Sequence, residues 1–130
     1  METKKRVELL APAGNMEKLK TAFHFGADAC FVGGSAFNLR GMSSNFKNKE
    51  LKEAVDYVHS LGKKIYVTLN IFAHNTEIEY MPRFIKKLDE FGVDAVIVAD
   101  LGVFQMVRQH APNMKIHVST QANNTNWMSV

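Results

Sequence analysis

Only one cysteine, Cys30, occurs among 130 residues, which excludes an internal disulfide framework and leaves too few thiolates for a zinc site or an iron–sulfur cluster. A reducing compartment, the cytosol, is the expected setting. Long apolar runs are lacking too. No stretch approaches the roughly 18 uninterrupted apolar residues of a membrane span. After the basic Lys4, Lys5 and Arg6, the apolar run is broken by Glu8, Pro12 and Gly14, so no signal-peptide core is expected. Local hydrolase and nucleotide motifs are missing as well: there is no G-x-S-x-G elbow, no H-E-x-x-H and no P-loop. A strong excess of one charge sign is also absent. The formal charge is +3, and the cluster of Arg83, Lys86 and Lys87 reads as a solvated face rather than a concentrated nucleic-acid footprint.

What remains is an ordinary globular composition, 46% hydrophobic and 22% charged, at the length of one domain. Five segments are rich in apolar or β-branched residues: "RVELLAPA" (6–13), "ACFVGG" (29–34), "KIYVTLN" (64–70), "AVIVAD" (95–100) and "KIHVSTQA" (115–122). They read as strands. Helical spacing fills the intervals. The first helix is expected from a cap at Asn15 to Gly26, and the second from a cap at Asn48, through Leu51, Ala54, Val55, Val58 and Leu61, to Gly62. In the third interval Thr76 and Glu79 resemble a capping box, yet Pro82 would cost a continuous helix a hydrogen bond, which places the helix start near Pro82 after a short turn. The fourth helix is expected over 101–111, directly after Asp100 and ahead of Pro112.

Strict alternation of strand and helix argues for parallel strands joined by right-handed crossovers. An internal echo accompanies it: "FGADACFV" (25–32) recurs as "FGVDAVIV" (91–98), explained equally by shared loop chemistry or by duplication. Parity divides the third strand into an apolar face (Ile65, Val67, Leu69) and a more polar one (Tyr66, Thr68, Asn70). In the fifth, Ile116 and Val118 alternate with His117, Ser119 and Gln121. The polar face belongs to a barrel interior or to the crevice of an open sheet, where ligands sit beyond the strands' C-terminal ends. An eightfold barrel takes about 250 residues. The chain is therefore expected to be either a small open flavodoxin-like sheet or the N-terminal part of a longer protein.

Candidate site residues follow from those strand ends. Gly33 and Gly34 could bring backbone N–H groups to an anion, or simply make a tight turn. Arg40, in "FNLRG", is either a carboxylate or phosphate clamp or an ordinary loop arginine. Asp100 suits a helix cap as well as a site. Asn70 ends a strand. The histidines (His24, His59, His74, His110 and His117) show no metal spacing, and only His117 shares a face with Ser119 and Gln121. Cys30 reads as a packed small hydrophobe, and a buried Glu8 would need a partner.

Taken in order, "ELLAPAGNMEKLKTAFHFGADACFVGG", "FNLRG", "GKKIYVTLNIF", "GVDAVIVADLGV" and "HVSTQANNTN" resemble the N-terminal half of the collagenase-like peptidase family, peptidase family U-thirty-two. The resemblance runs from Glu8 to Asn126. It implies a partial (β/α) TIM-type barrel, with about five parallel strands and four intervening helices over residues 1–130, cut from a longer protein. The family was named for a collagen-degrading protease activity. Several members resemble oxygen-independent hydroxylases of RNA bases or of a quinone precursor, and "STQANNTN" resembles the tRNA-hydroxylating branch, in which prephenate serves the hydroxylation of a tRNA uridine, more than the quinone branch. Such members carry four iron–sulfur cysteines further along the chain than Val130, which leaves a cluster open for the full-length parent, while no cofactor is expected in this piece. The resemblance places Asn70, Asp100, Ser119, Gln121 and Asn123 at the barrel mouth with Arg40 above it, binding a tRNA or peptide substrate; no nucleophile is assigned. Alternatives are a genuine peptidase and a non-enzymatic half barrel that associates with itself, as a homodimer.

Overall fold

A computed structural model describes residues 6–33, 45–70 and 75–129. Its centre is a five-stranded, wholly parallel sheet: β1 (Leu10–Pro12), β2 (Ala29–Gly33), β3 (Lys64–Leu69), β4 (Ala95–Val98) and β5 (Lys115–Val118) lie side by side in chain order. The connecting helices are α1 (Met16–His24), α2 (Asn45–Ser60), the short α3 (Asn75–Ile78) with α4 (Met81–Phe91), and α5 (Leu101–His110). This is the expected partial (β/α) barrel. The sheet is not closed, and β1 and β5 are its edges.

The helices begin and end where side-chain chemistry permits. Asn15 Oδ1 accepts the Lys18 N–H at 2.8 Å to start α1, and Asp100 Oδ1 accepts the Val103 N–H at 3.0 Å to start α5. Both match the sequence expectation. The third interval divides as Pro82 requires: α3 stops, a turn intervenes, and Pro82 sits in the first turn of α4, where a missing N–H costs nothing. Three expectations need correction. The first strand covers only Leu10–Pro12 of the expected 6–13, which leaves Glu8 outside it. Helix α2 starts at Asn45, so Asn48 lies within it; no glycine or proline in 45–60 halts the helix further along. The fifth strand ends at Val118, four residues early. There Ser119 Oγ accepts the Gln121 N–H at 3.2 Å and Ser119 O accepts the Ala122 N–H at 3.0 Å, which closes a 3₁₀ turn over Thr120–Ala122. Local bonding to the hydroxyl outcompetes the ladder.

Two hydrophobic clusters occupy the two faces. Cys30, Val32, Ile65, Val67, Leu69, Val96 and Val98 pack outward against Leu19, Val55, Val58, Ile85, Leu88, Val103 and Val107 of the helices. The inward face carries a small cluster of Ala29, Tyr66 and Ala95, with Phe31 and Ile97 beside it. Strand parity thus holds in β3.

The echo in the sequence has a structural counterpart. Asp28 and Asp94 each follow a helix-ending glycine with positive φ, Gly26 at 98° and Gly92 at 79°. Each carboxylate accepts the backbone N–H at the entry to a preceding strand, Leu9 for Asp28 and Ile65 for Asp94, both at 2.9 Å. Cations or a histidine complete each node: Arg6 and Lys63 at Asp28, His59 at Asp94. Helix exit and strand entry are tied by one side chain.

Candidate functional site at the C-terminal ends of the strands

Beyond the C-terminal ends of β1, β2 and β3 lies a hollow of about 300 Å³ lined by Pro12, Ala13, Gly14, Phe31, Gly33, Thr68 and Asn70. Inward-facing positions build it. Register pairs Pro12 with Phe31, Phe31 with Tyr66, and Gly33 with Thr68, so these side chains form successive rungs of one face. The Thr68 hydroxyl donates to Val32 O at 3.3 Å. Its side chain lies over Gly33, where a Cβ would stand only 1.5 Å from Thr68 Oγ1. A glycine is required here for close packing. Lys18, one turn into α1, folds back toward Gly14 and brings its ammonium beside one wall of the hollow.

Below the hollow the interior is polar in a different way. Tyr66 is buried, and its hydroxyl donates to Glu8 Oε1 at 2.5 Å, while Lys64 Nζ meets Glu8 Oε2 at 3.0 Å. The Tyr66 hydrogen bond holds the Glu8 carboxyl below its ordinary range; burial opposes it, and Lys64, by hydrogen bond and charge, adds to the lowering. Burial, then the Glu8 hydrogen bond and charge, push the Tyr66 phenol well above its ordinary value. Tyr66 is therefore a hydrogen-bond donor, not a base. His117 stacks edge-on against it, ring centroids 4.8 Å apart. The three residues come from β1's approach, β3 and β5, the alternate-strand arrangement by which barrel interiors are filled.

The predicted site residues are only partly gathered. Gly33 and Asn70 share the hollow. Asp100 sits two residues past β4 with its carboxylate committed to capping α5. His117 turns to Tyr66, and Ser119 is committed to its own turn, with its N–H donating to Val98 O at 2.7 Å. Gln121 has left the strand, so parity no longer places it with His117, and Asn123 ends the turn in the left-handed region at φ 55°. Gly34 and Arg40 lie outside the described residues. Sequence reasoning missed Pro12, Gly14 and Phe31 as lining residues; the parity already seen in β3, carried to β1 and β2, would have found Phe31. It also missed the pairing of Glu8 with Tyr66, whose signal was the carboxylate's need for a partner.

Cys30 does not fit a cluster-ligand role. It is fully buried on the helix-facing side of β2, where burial pushes its thiol pKa up and away from the thiolate. Among the described residues, no group of three or more His, Cys, Asp or Glu is placed to hold a metal ion, and no helix is long and apolar enough to cross a membrane.

A parallel sheet in chain order, helices on its outer face and a hollow beyond the strand ends define a (β/α) barrel protein, present here as an open portion. Solved structures share this fold. A U32 peptidase superposes with a TM-score of 0.67 at 15% identity, over 94% of this chain and 52% of that one. The hydroxymethylglutaryl-CoA lyase of Bacillus subtilis gives 0.65 at 17%, over 91% and 46%. The chain belongs to peptidase family U32, whose family profile matches residues 14–130. Among curated relatives, tRNA hydroxylation protein P1 of Bacillus subtilis (strain 168) is 47% identical over 97% of this chain and 30% of its own length. The tRNA hydroxylation protein P of Escherichia coli (strain K12) is 42% identical over 95% and 27%. A 23S rRNA 5-hydroxycytidine synthase of the same organism is 40% identical over 91% and 18%. The chain thus spans under a third of the length of these relatives.

Proposed function

We propose that this chain forms the substrate-facing N-terminal part of the (β/α) barrel in a longer, cytoplasmic tRNA-hydroxylating protein, which modifies a tRNA uridine with prephenate as the family resemblance implies. The observation that carries this reading is the 47% identity over 97% of the chain to a tRNA hydroxylation protein. An interior face whose polar groups orient rather than attack is consistent with it. A cluster in the full-length protein would draw its cysteines from outside residues 1–130. Separated from the rest of its barrel, the chain would leave β1 and β5 as open edges and self-associate, as a homodimer in the simplest case.

Deleting the gene should abolish hydroxylated uridine in tRNA, read by mass spectrometry of nucleosides; unchanged modification would sink the proposal. The peptidase reading rests on the family name. Among the described residues, no Ser, Thr or Cys is hydrogen-bonded to a histidine or carboxylate in the manner of a nucleophile and its base. Purified full-length protein should leave collagen and gelatin intact when contaminating proteases are controlled.

A further inference from the structure

We propose that the hollow beyond β1–β3 receives a single pyrimidine base turned out of an RNA strand, with Phe31 as the stacking surface and Asn70 reading the base's hydrogen-bonding edge. The inference rests on the tRNA-hydroxylating reading of the full-length protein, and adds to it the location of the base and the residues that select it.

Three features of the hollow carry the argument. First, among the described residues its lining is uncharged: an aromatic ring, an amide, a hydroxyl, a proline and small residues. Such a wall suits a neutral planar ring. A volume of about 300 Å³ stands at the lower end of small-ligand pockets and suits one ring rather than a dinucleotide. Phe31 is half-buried, held from below by the cluster of Ala29, Tyr66 and Ala95, so its ring is fixed before any base arrives. Bases stack on such rings irrespective of sequence.

Second, Asn70 supplies a donor and an acceptor in one plane. Uracil presents a ring N–H beside a carbonyl; cytosine presents a ring nitrogen beside an amino group. One orientation of the carboxamide matches the first and the flipped orientation matches the second. The position therefore serves uracil and cytosine alike. That fits a family whose members include both a tRNA hydroxylation protein and a 5-hydroxycytidine synthase. Thr68 donates its proton to Val32 O, which leaves its lone pairs to accept from the base.

Third, a cation brought beside the wall, Lys18, stands against Gly14 rather than within the lining. Its place suits the phosphate of the extruded nucleotide, which contributes affinity but no base selection. Enzymes acting on a base inside an RNA loop unstack it into such a slot.

The test uses the full-length protein, returned to a deletion strain as wild type, Asn70→Ala, Phe31→Leu, Lys18→Gln or Lys52→Ala, with protein levels matched. Asn70→Ala and Phe31→Leu should each lower the hydroxylated nucleoside in tRNA by about tenfold or more, the scale of one lost base contact. Lys52→Ala, an exposed substitution on α2, should match wild type. Lys18→Gln should weaken tRNA binding and reduce its salt dependence by about one phosphate contact. Wild-type hydroxylation by both Asn70→Ala and Phe31→Leu would overturn the base slot while leaving the tRNA reading standing. A deletion strain with undiminished hydroxylation would overturn that reading first. Photocrosslinking of 4-thiouridine-substituted tRNA to the wild-type protein does not depend on how a variant folds: crosslinks on the Phe31 or Asn70 peptide support the slot, and crosslinks confined elsewhere overturn it.

Discussion

A Cβ at position 33 would stand 1.5 Å from Thr68 Oγ1 and 2.8 Å from Thr68 Cβ, so one methyl group forces either the threonine or the strand to move. Gly33→Ala should lose about 1–3 kcal/mol by overpacking. Adding Thr68→Ala removes the Oγ1 contact but keeps the Cβ, so the double variant should recover only part of the loss, and urea unfolding of the full cycle measures the coupling. The Glu8–Tyr66 pair makes a prediction about pH. Because the folded-state pKa of Glu8 is lowered, its contribution to stability is complete above the ordinary carboxylate range and is lost as pH falls through the folded value. Glu8→Gln should therefore be less stable than wild type near neutrality, and the gap should narrow toward acid. Tyr66 has the opposite sign: its raised value gives stability that is complete below the ordinary phenol pKa of about 10 and is lost as pH rises through the folded one. Tyr66→Phe should flatten this alkaline limb, with chemical denaturation across a pH series as the readout.

Among the elements, the caps and the two aspartate nodes define where each unit starts and turns. Asp100→Ala removes the acceptor of the Val103 N–H at the start of α5 and should cost about 1 kcal/mol, with Asp100→Asn close to wild type. The Asp100 carboxylate also accounts for Gly102, since a Cβ there would meet Asp100 Oδ1 at 2.9 Å. Asp94→Ala leaves the Ile65 N–H, at the entry to a central strand, without its partner and should cost about 1–3 kcal/mol. Asp94→Asn keeps an acceptor and should cost less; thermal unfolding separates the two. The matching Asp28 node shows that the repeated "FG-x-D-A" carries more than loop chemistry. In both copies the aspartate fastens the end of one helix to the entry of an earlier strand. The Asp28 carboxyl is held below its ordinary range by the Leu9 N–H first and then by Arg6 and Lys63, with burial opposing, so the Asp28 node loosens in acid.

At the scale of the molecule, the open sheet decides behaviour. A closed barrel has no edges, whereas here, among the described residues, β1 and β5 are both unpaired on one side, with Leu10 and Val118 exposed at them. The 130-residue chain on its own should elute and scatter light as a species larger than a monomer. A stable monomer at high concentration would contradict this. Full-length protein, with its remaining strands, should not show that edge-driven association.

How far the sequence reached differs from residue to residue. Alternating β and α patterns, the period-two parity of β3, the caps at Asn15 and Asp100 and the break at Pro82 were all legible, because each depends on a few neighbours along the chain. Asn48 was misread as a cap because a helix end depends on where its first turn can form, and a run free of glycine and proline let it form earlier. The fifth strand was read too long because apolar periodicity is blind to a serine hydroxyl closing its own turn. The site was harder still. Asn70 and Gly33 were recognisable as strand-end residues, but Phe31, Pro12 and Gly14 became its walls only through the parallel register of β1, β2 and β3. His117 and Ser119, which parity put on one face, have different partners: His117 meets Tyr66 across β4, and Ser119, just past the end of β5, bonds back to its own turn. The sequence alone determined the parallel α/β class, the helix boundaries set by caps and the apolar outer face, all consequences of local periodicity and local hydrogen bonding. Only the tertiary structure decided which polar side chains share a hollow and which are consumed in caps and ion pairs, since that depends on strand register and on contacts between residues as far apart as Glu8 and Tyr66.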